Sequence, residues 1–325
     1  MNIFDQSTPK PALKHPVITI GSFDGMHLGH QKLAEQIKQL AAERGVDYAL
    51  VTFEPHPRQV VYPQDKTLRL ITTLDEKLLI FKHIGIANII VAPFTVEFSQ
   101  ISADEYIERF LVQQFNPSLI VIGYDHRFGL NRTGDIHFLK WYTEKYNYEV
   151  VEVDPKQVDE ITVSSTKIRK ALEQGAVEVA NMMLGYQYFM SGRVVHGQKL
   201  GRNLGYPTAN LELSDPLKLT PSDGIYAVYV EIENSILKGA LYIGKKSSII
   251  NKDALSSIEL FILDFDGDLY GQTLSVHLVT RIRTDMQFEN LEALSEQIQR
   301  DVNDVRAALS HNPHESLSLI RNNRV

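Results

Sequence analysis

The spacing of apolar positions divides this chain into two regimes and a helical end. In the first regime, short apolar runs alternate with stretches of helical periodicity. Strands are predicted over Pro16–Ile20, Tyr48–Phe53, Asn88–Ala92, Leu119–Ile122 and Tyr148–Val153, and helices over Leu28–Arg44, Leu74–Ile84, Ala103–Gln113 and Phe138–Tyr146. Strands alternating with helices imply βαβ units and a mainly parallel sheet. Two short predicted helices follow, Ser165–Gln174 and Val177–Leu184. From Gln187 onward, short strands are parted by Gly, Pro and Asn turns: Tyr188–Val195, Ile225–Ile232, Gly239–Ile243, Ser257–Leu263 and Thr273–Arg283. That pattern belongs to an antiparallel barrel or sandwich. Leu291, Leu294, Ile298, Val302 and Val305 then recur at helical spacing, so Asn290–Leu309 should be a helix packed on the barrel. The change near Gly185 sets the expected boundary, with residues 1–185 in one domain and 186–325 in the other.

Composition narrows the function classes. Each half of the 325-residue chain is long enough to bury its own core. The formal net charge of −7 argues against a nucleic-acid footprint. A polyanionic ligand must then be held by local groups and not by the overall field. The chain has no cysteine, which excludes disulfides, zinc thiolate sites and cysteine nucleophiles. The opening stretch MNIFDQSTPKPALKHP lacks the apolar core of a signal peptide. No apolar run approaches the roughly 20 residues of a membrane span. A soluble cytoplasmic protein is expected, with neither nucleic acid nor membrane as partner; homo-oligomerisation stays open.

Gly21-Ser-Phe-Asp-Gly-Met-His-Leu-Gly-His30 sits between the first of these strands and the first helix. In an open α/β sheet, ligands bind beyond the carboxyl ends of strands. Gly21 and Gly25 permit a sharp turn, and Gly29 permits close approach of a phosphate to the helix. Phe23 and Asp24 belong to the same loop. A helix N-terminus offers unpaired N–H groups and partial positive charge. His27 and His30, three residues apart, can share one helical face and donate N–H groups to charge developing on an attacked phosphate. The bland alternative is a plain glycine turn capped by histidines.

Three further segments lie after predicted strands or at a helix start: Thr52-Phe-Glu-Pro-His-Pro57, Gly123-Tyr-Asp-His-Arg-Phe-Gly-Leu-Asn-Arg-Thr-Gly-Asp135, and Val163-Ser-Ser-Thr-Lys-Ile-Arg169. Together with HxGH they resemble the prokaryotic bifunctional riboflavin kinase/FAD synthetase family, within the nucleotidylyltransferase superfamily. The resemblance implies that these motifs form the ATP and FMN sites of adenylyl transfer. Ser164, Ser165 and Thr166 can cap the helix and offer hydroxyls to phosphate oxygens. Arg169 can grip the β/γ-phosphates with its planar fork. A simple capped helix with an exposed arginine would look the same. His56, between two prolines, suits either phosphate contact or a structural role. Asp125 and Arg127 can position FMN or adenosine groups, or form a surface ion pair. Phe128 can stack on an isoalloxazine ring or fill the core.

The second regime opens with Ser191-Gly-Arg-Val-Val-His-Gly-Gln-Lys-Leu-Gly-Arg-Asn-Leu-Gly-Tyr-Pro-Thr-Ala-Asn-Leu211, whose GRxxGxPTAN part resembles the kinase module of the same family. Gly197, Gly201 and Gly205 mark a loop whose backbone can wrap phosphates. Thr208 and Asn210 are two apart, so in an extended segment they point the same way. Their oxygens are hard ligands that suit Mg²⁺. Pro221-Ser-Asp-Gly-Ile-Tyr-Ala227 resembles the module's next loop and strand. Ile258-Glu-Leu-Phe-Ile-Leu-Asp264 resembles the strand that bears its catalytic glutamate, which maps onto Glu259; the alternation Glu259, Phe261, Leu263 alone favours an outward polar residue. Asp264, Asp266 and Asp268 read as a solvated turn, since the twelfth-position glutamate of an EF-hand is missing. The family's NIG-x-x-PT segment departs here to Tyr242-Ile-Gly-Lys-Lys-Ser-Ser248, in a loop that lies near nucleotide and flavin in the family.

The resemblance thus implies an N-terminal Rossmann-like nucleotidylyltransferase domain with a parallel sheet. It implies a C-terminal six-stranded antiparallel riboflavin kinase barrel with a terminal helix. Riboflavin, FMN and ATP are the expected substrates, with Mg²⁺. The rivals are an FMN adenylyltransferase with a weakened kinase module, and a flavin-sensing protein without turnover.

Overall fold

A computed structural model describes residues 1–5, 7, 13–153, 163–197, 205–233, 235–245 and 256–310. Its contacts form two compact units. One is Met1–Leu68 with Lys77–Ser164; the other is Arg69–Glu76 with the chain from Ser165 onward.

The first unit holds a six-stranded parallel sheet in the order β1-β4-β3-β2-β5-β6. The strands are β1 (Asn2–Phe4), β2 (Val17–Ile20), β3 (Tyr48–Glu54), β4 (Asn88–Pro93), β5 (Leu119–Gly123) and β6 (Glu149–Val153). Helix α1 (Leu28–Arg44) follows β2 and buries Leu33, Ala34, Ile37 and Ala41 at helical spacing. It ends where Gly45 turns left-handed and its N–H caps Ala41 and Ala42. After β2 the chain builds toward β3 and β4, then returns to lay β5 on the other side. The loop after β2 is therefore at a topological switch point, where open sheets bind ligands. Strand β1 escaped the sequence reading because three edge residues carry no readable alternation. The helix expected over Ala103–Gln113 is divided: α over Ala103–Glu105, π over Tyr106–Val112, α over Gln113–Phe115. The π segment buries Tyr106, Ile107, Phe110 and Leu111 in the aromatic core.

The second unit holds a closed barrel in the order β10-β11-β8-β7-β12-β9. Its strands are β7 (Phe189–Val195), β8 (Ala209–Leu213), β9 (Gly224–Ile232), β10 (Ser235–Lys245), β11 (Ser256–Ile262) and β12 (Thr273–Thr284). Every barrel pairing is antiparallel. The sequence pattern missed β8, whose start is masked by the Pro207–Thr208 turn chemistry. The terminal helix, Leu291–Ala308, is capped by Asn290, whose Oδ1 accepts from Ala293 N at 2.8 Å. It is pinned to β12 by a bidentate pair, Arg283 to the buried Asp301 at 2.8 and 2.7 Å. Contacts also group the helices Ser165–Glu173 and Val177–Leu184 with the barrel, ahead of the composition change near Gly185. Asn181 shows why: its Nδ2 donates to Leu278 O at 2.9 Å and its Oδ1 accepts from Tyr188 N at 2.7 Å. Periodicity registers where strands begin, not what a preceding helix packs on.

Inside this unit lies a buried ion pair. Lys218 Nζ donates to Glu76 Oε2 at 2.5 Å, to Ile71 O at 2.7 Å and to Phe189 O at 2.8 Å. Glu76 Oε1 accepts from Ser191 N at 2.8 Å, and Oε2 also accepts from Thr73 N at 3.0 Å. Both side chains are essentially sealed, at 1% and 0% exposure. The Tyr188 ring lies 4.4 Å from the ammonium. Removing one partner leaves a buried, uncompensated charge. Lys218→Met should therefore destabilise the second unit by about 3–5 kcal/mol. Adding Glu76→Leu should cost less than the sum of the two single changes. Urea unfolding of the three variants checks this; a single variant within about 1 kcal/mol of wild type would contradict it.

Candidate active sites

The first site grows from β2. Thr52 Oγ1, near the end of β3, donates to Ser22 O at 3.2 Å and holds the loop after β2 against the sheet. Gly25 takes φ +80°, the left-handed region glycine favours, so the loop can turn back onto α1. His27 is the N-cap of α1, and its Nδ1 accepts from His30 N at 3.4 Å. With Nδ1 accepting, the neutral ring carries its proton on Nε2. The two imidazoles stack, with centroids 3.7 Å apart and 15° between planes. Phe23 meets His30 edge-on at 5.2 Å and fixes its orientation. Burial pulls the His27 pKa down to about 4, against the opposing charge of Asp24. Burial, then His27, then Lys77 hold His30 well below its ordinary value. Both rings are thus neutral near pH 7, a form that can donate an N–H but carries no charge.

The other expected residues fall in different settings. His56 caps the short helix α2 (Pro57–Val61): its Nδ1 accepts from Arg58 N at 3.2 Å, and its backbone N–H donates to Gln59 Oε1 at 3.1 Å. Arg127 pairs with Asp135 at 2.7 Å, and Asp125 is exposed in the same loop after β5. Phe128 stacks on Tyr106 at 4.7 Å and is 5% exposed. A Cβ on Gly134 would fall 2.3 Å from the Phe128 ring. The Phe128 ring packs in the aromatic core, the second of the two roles the sequence left open for it. Ser164 lies in the first unit, whereas Ser165, Thr166 and Arg169 belong by their contacts to the second, where Arg169 Nε donates to Arg69 O at 2.8 Å.

The second site is built across strands. Thr208 just precedes β8, and Asn210 on β8 stands opposite Glu259 on β11 and Val195 on β7. Thr208 Oγ1 donates to Glu259 Oε2 at 3.1 Å, and Ser257 Oγ donates to Glu259 Oε1 at 3.1 Å. The carboxylate is thereby oriented through both oxygens. Its donor being committed, the Thr208 hydroxyl keeps lone pairs for a cation. A Cβ on Gly197 would fall 2.0 Å from Asn210 Nδ2, so any larger residue there would displace the amide. Thr208 also lines a cavity of about 570 Å³ with Val194, Leu260, Phe265, Asp268 and Tyr270. Gly205 takes φ +83°; Gly201 and the Ser247–Ser248 departure lie outside the described residues.

The two units match two families. The FAD synthetase family model covers residues 10–167 and the riboflavin kinase family model residues 184–309. A bifunctional riboflavin kinase/FMN adenylyltransferase from Buchnera aphidicola is 36% identical over 88% of this chain and 91% of its own length. The chain belongs to the bifunctional riboflavin kinase/FMN adenylyltransferase family. A second member, from Listeria monocytogenes, is 35% identical over 90% of this chain and 91% of its own. A solved chain described as a macrolide-efflux protein from Streptococcus pneumoniae is 30% identical, with a TM-score of 0.81 over 94% of this chain and 98% of its own. Efflux is that protein's description alone; among the described residues here, no helix is long and apolar enough to cross a membrane.

Sequence reasoning gave no individual role to four residues that lie beside these groups. Thr52 and Lys77 flank the loop after β2, while Ser257 and Tyr242 flank Glu259, Tyr242 as its register partner on β10. What each of them touches is set by tertiary packing and strand register, which a motif does not carry. His126, within the Gly123–Asp135 segment, also gains meaning here. Its Nε2 is shut from solvent with no partner among the described residues, and burial, helped by Arg132, lowers its pKa to about 4. Three histidines of the first unit are thus neutral when folded but protonate near 6.5 when unfolded. The unfolded chain binds more protons between those values, so stability present above about pH 6.5 is lost as pH falls toward 4. The unfolding midpoint should drop through that window, and His126→Phe should flatten the drop. Thermal scans across that pH range, with equal slopes in both proteins as the contrary outcome, test this.

Proposed function

We infer that this chain makes both flavin coenzymes. It phosphorylates riboflavin to FMN with ATP, then adenylylates FMN to FAD with release of pyrophosphate. The observation that carries the reading is the presence of two separate constellations, each on its own family module: the stacked His27–His30 pair at the switch point, and Glu259 held by Thr208 across β8 and β11.

In the first module, an FMN phosphate oxygen attacks the α-phosphorus of ATP, and the bond to the pyrophosphate oxygen breaks. Positioning and charge stabilisation are what this step needs. The neutral histidines donate N–H groups toward the phosphates from the start of α1. Gly21, Gly25 and Gly29 keep the backbone close, Asp125 and Arg127 orient substrate groups, and Ser164 offers its hydroxyl to phosphate oxygens. In the second module, the Glu259 carboxylate orients the riboflavin 5′-hydroxyl and accepts its proton as that oxygen attacks the γ-phosphorus of ATP, the bond from that phosphorus to the bridging oxygen breaks, and ADP leaves. The Thr208 hydroxyl and the Asn210 amide would hold Mg²⁺, which when bound neutralises charge on the transferring phosphoryl group. The cavity beside Thr208 is of a size that takes a nucleotide.

Riboflavin and ATP alone should yield FAD, since that product requires both steps. His27→Ala or His30→Ala should cut FAD formation by at least about tenfold, about 1.4 kcal/mol of transition-state stabilisation, while FMN still forms from riboflavin. Unchanged FAD synthesis in the double alanine variant would sink the first assignment. Asn210→Ala should abolish most FMN production from riboflavin and leave FAD production from supplied FMN nearly intact. Separate assays with riboflavin and with FMN decide this; loss of neither activity would make Asn210 part of a turn only.

A further inference from the structure

Lys77, on α3 (Leu74–His83), belongs to no motif and is 3% exposed. A buried ammonium is retained only where its charge is answered. Among the described residues its Nζ makes one hydrogen bond, to Thr52 Oγ1 at 3.4 Å, which is long for this interaction. Two carboxylates act on it through space, Asp24 in the loop after β2 and Glu54 at the end of β3. On α1, His30 is the group whose protonation it opposes. Asp24 in turn acts on His27. The ammonium therefore sits in the charge pattern of the first site, at the carboxyl ends of β2 and β3, with donor capacity that the long Thr52 contact does not use.

Contrast Lys218, equally buried, which donates to three oxygens at 2.5 to 2.8 Å. A lysine with a structural task is saturated; Lys77 is not. A chain of net charge −7 must also draw polyanions to its sites with local cations.

We propose that Lys77 is a positioning residue of the adenylyl-transfer site: its buried ammonium, held on Thr52 at the end of β3 and within electrostatic reach of Asp24, Glu54 and His30, fixes the local charge against which the histidines meet the nucleotide phosphates. This rests on the reading of the first module given above. The role has two parts. Lys77 keeps the Asp24 and Glu54 carboxylates from repelling the incoming phosphates. It also adds to burial, the larger cause, in holding His30 in the N–H donating neutral form, so that the pair shares no proton that would turn or unstack the rings.

The test is steady-state FAD formation from FMN and ATP across pH, with full-length Lys77→Met and Lys77→Arg. The methionine variant should lose at least about tenfold in kcat, a loss set by transition-state charge. Its acid limb should move to higher pH, because without the neighbouring cation His30 protonates more readily. The arginine variant should regain part of kcat and the wild-type acid limb. FMN formation from riboflavin, read on the same preparations, should stay near wild type and reports that the protein is folded. If the methionine variant loses both activities, Lys77→Gln replaces it and is read by the same profile. Wild-type kcat and acid limb in the neutral variants overturn the proposal. So does a fall in kcat with an unmoved acid limb and no rescue by arginine, which is the behaviour of a packing residue. Normal FAD synthesis by the His27→Ala/His30→Ala protein would instead mean that the reading of the module itself has failed.

Discussion

The buried Lys218–Glu76 pair sets the terms for the second unit. An ammonium and a carboxylate removed from water are tolerated only when every remaining proton and lone pair is met. Here they are met by Ile71 O, Phe189 O, Ser191 N and Thr73 N. Those partners come from the 69–76 segment and from β7, and Lys218 itself lies in the stretch before β9. Satisfying the two charges therefore fixes the segment and the first barrel strand in one arrangement. Strand β7 in turn carries Val195 opposite Asn210, and β8 carries Asn210 opposite Glu259. The kinase chemistry inherits its register from that starting strand.

The two units solve the same problem, holding phosphate in an acidic protein, with different geometry. The parallel sheet leaves its strand ends open, so the first site is made of loops, with the turn after β2 and the helix start supplying donors. The closed barrel has no such edge. Its site uses side chains brought side by side across strands, with Thr208, Ser257 and Glu259 linked at 3.1 Å. Loop sites depend on glycine conformations such as Gly25; strand sites depend on register and on close approach such as Gly197 to Asn210.

Burial also decides protonation. His27 and His30 occupy the position where cations would be expected to meet phosphate, yet packing against Phe23 and each other makes them neutral. Positive charge in that site has to come from elsewhere, and a buried lysine on α3 is placed to provide it.

Much of this was written in the chain. The 3.6-residue and 2-residue periods placed α1 and most strands, because those periods are the geometry of helices and sheets themselves. HxGH and GRxxGxPTAN announced the two chemistries, because a phosphate-binding turn needs its glycines and donors contiguous in sequence. What the sequence left open was everything set by long-range pairing. That Glu259 lies against Thr208 is a matter of β8–β11 register. That Phe128 is core follows from Tyr106 and Gly134 covering its ring. That Glu76 meets Lys218, 142 positions away, follows from two segments burying their charges together. Periodicity and motifs are local properties of the chain, whereas burial and partnership exist only once distant segments have packed.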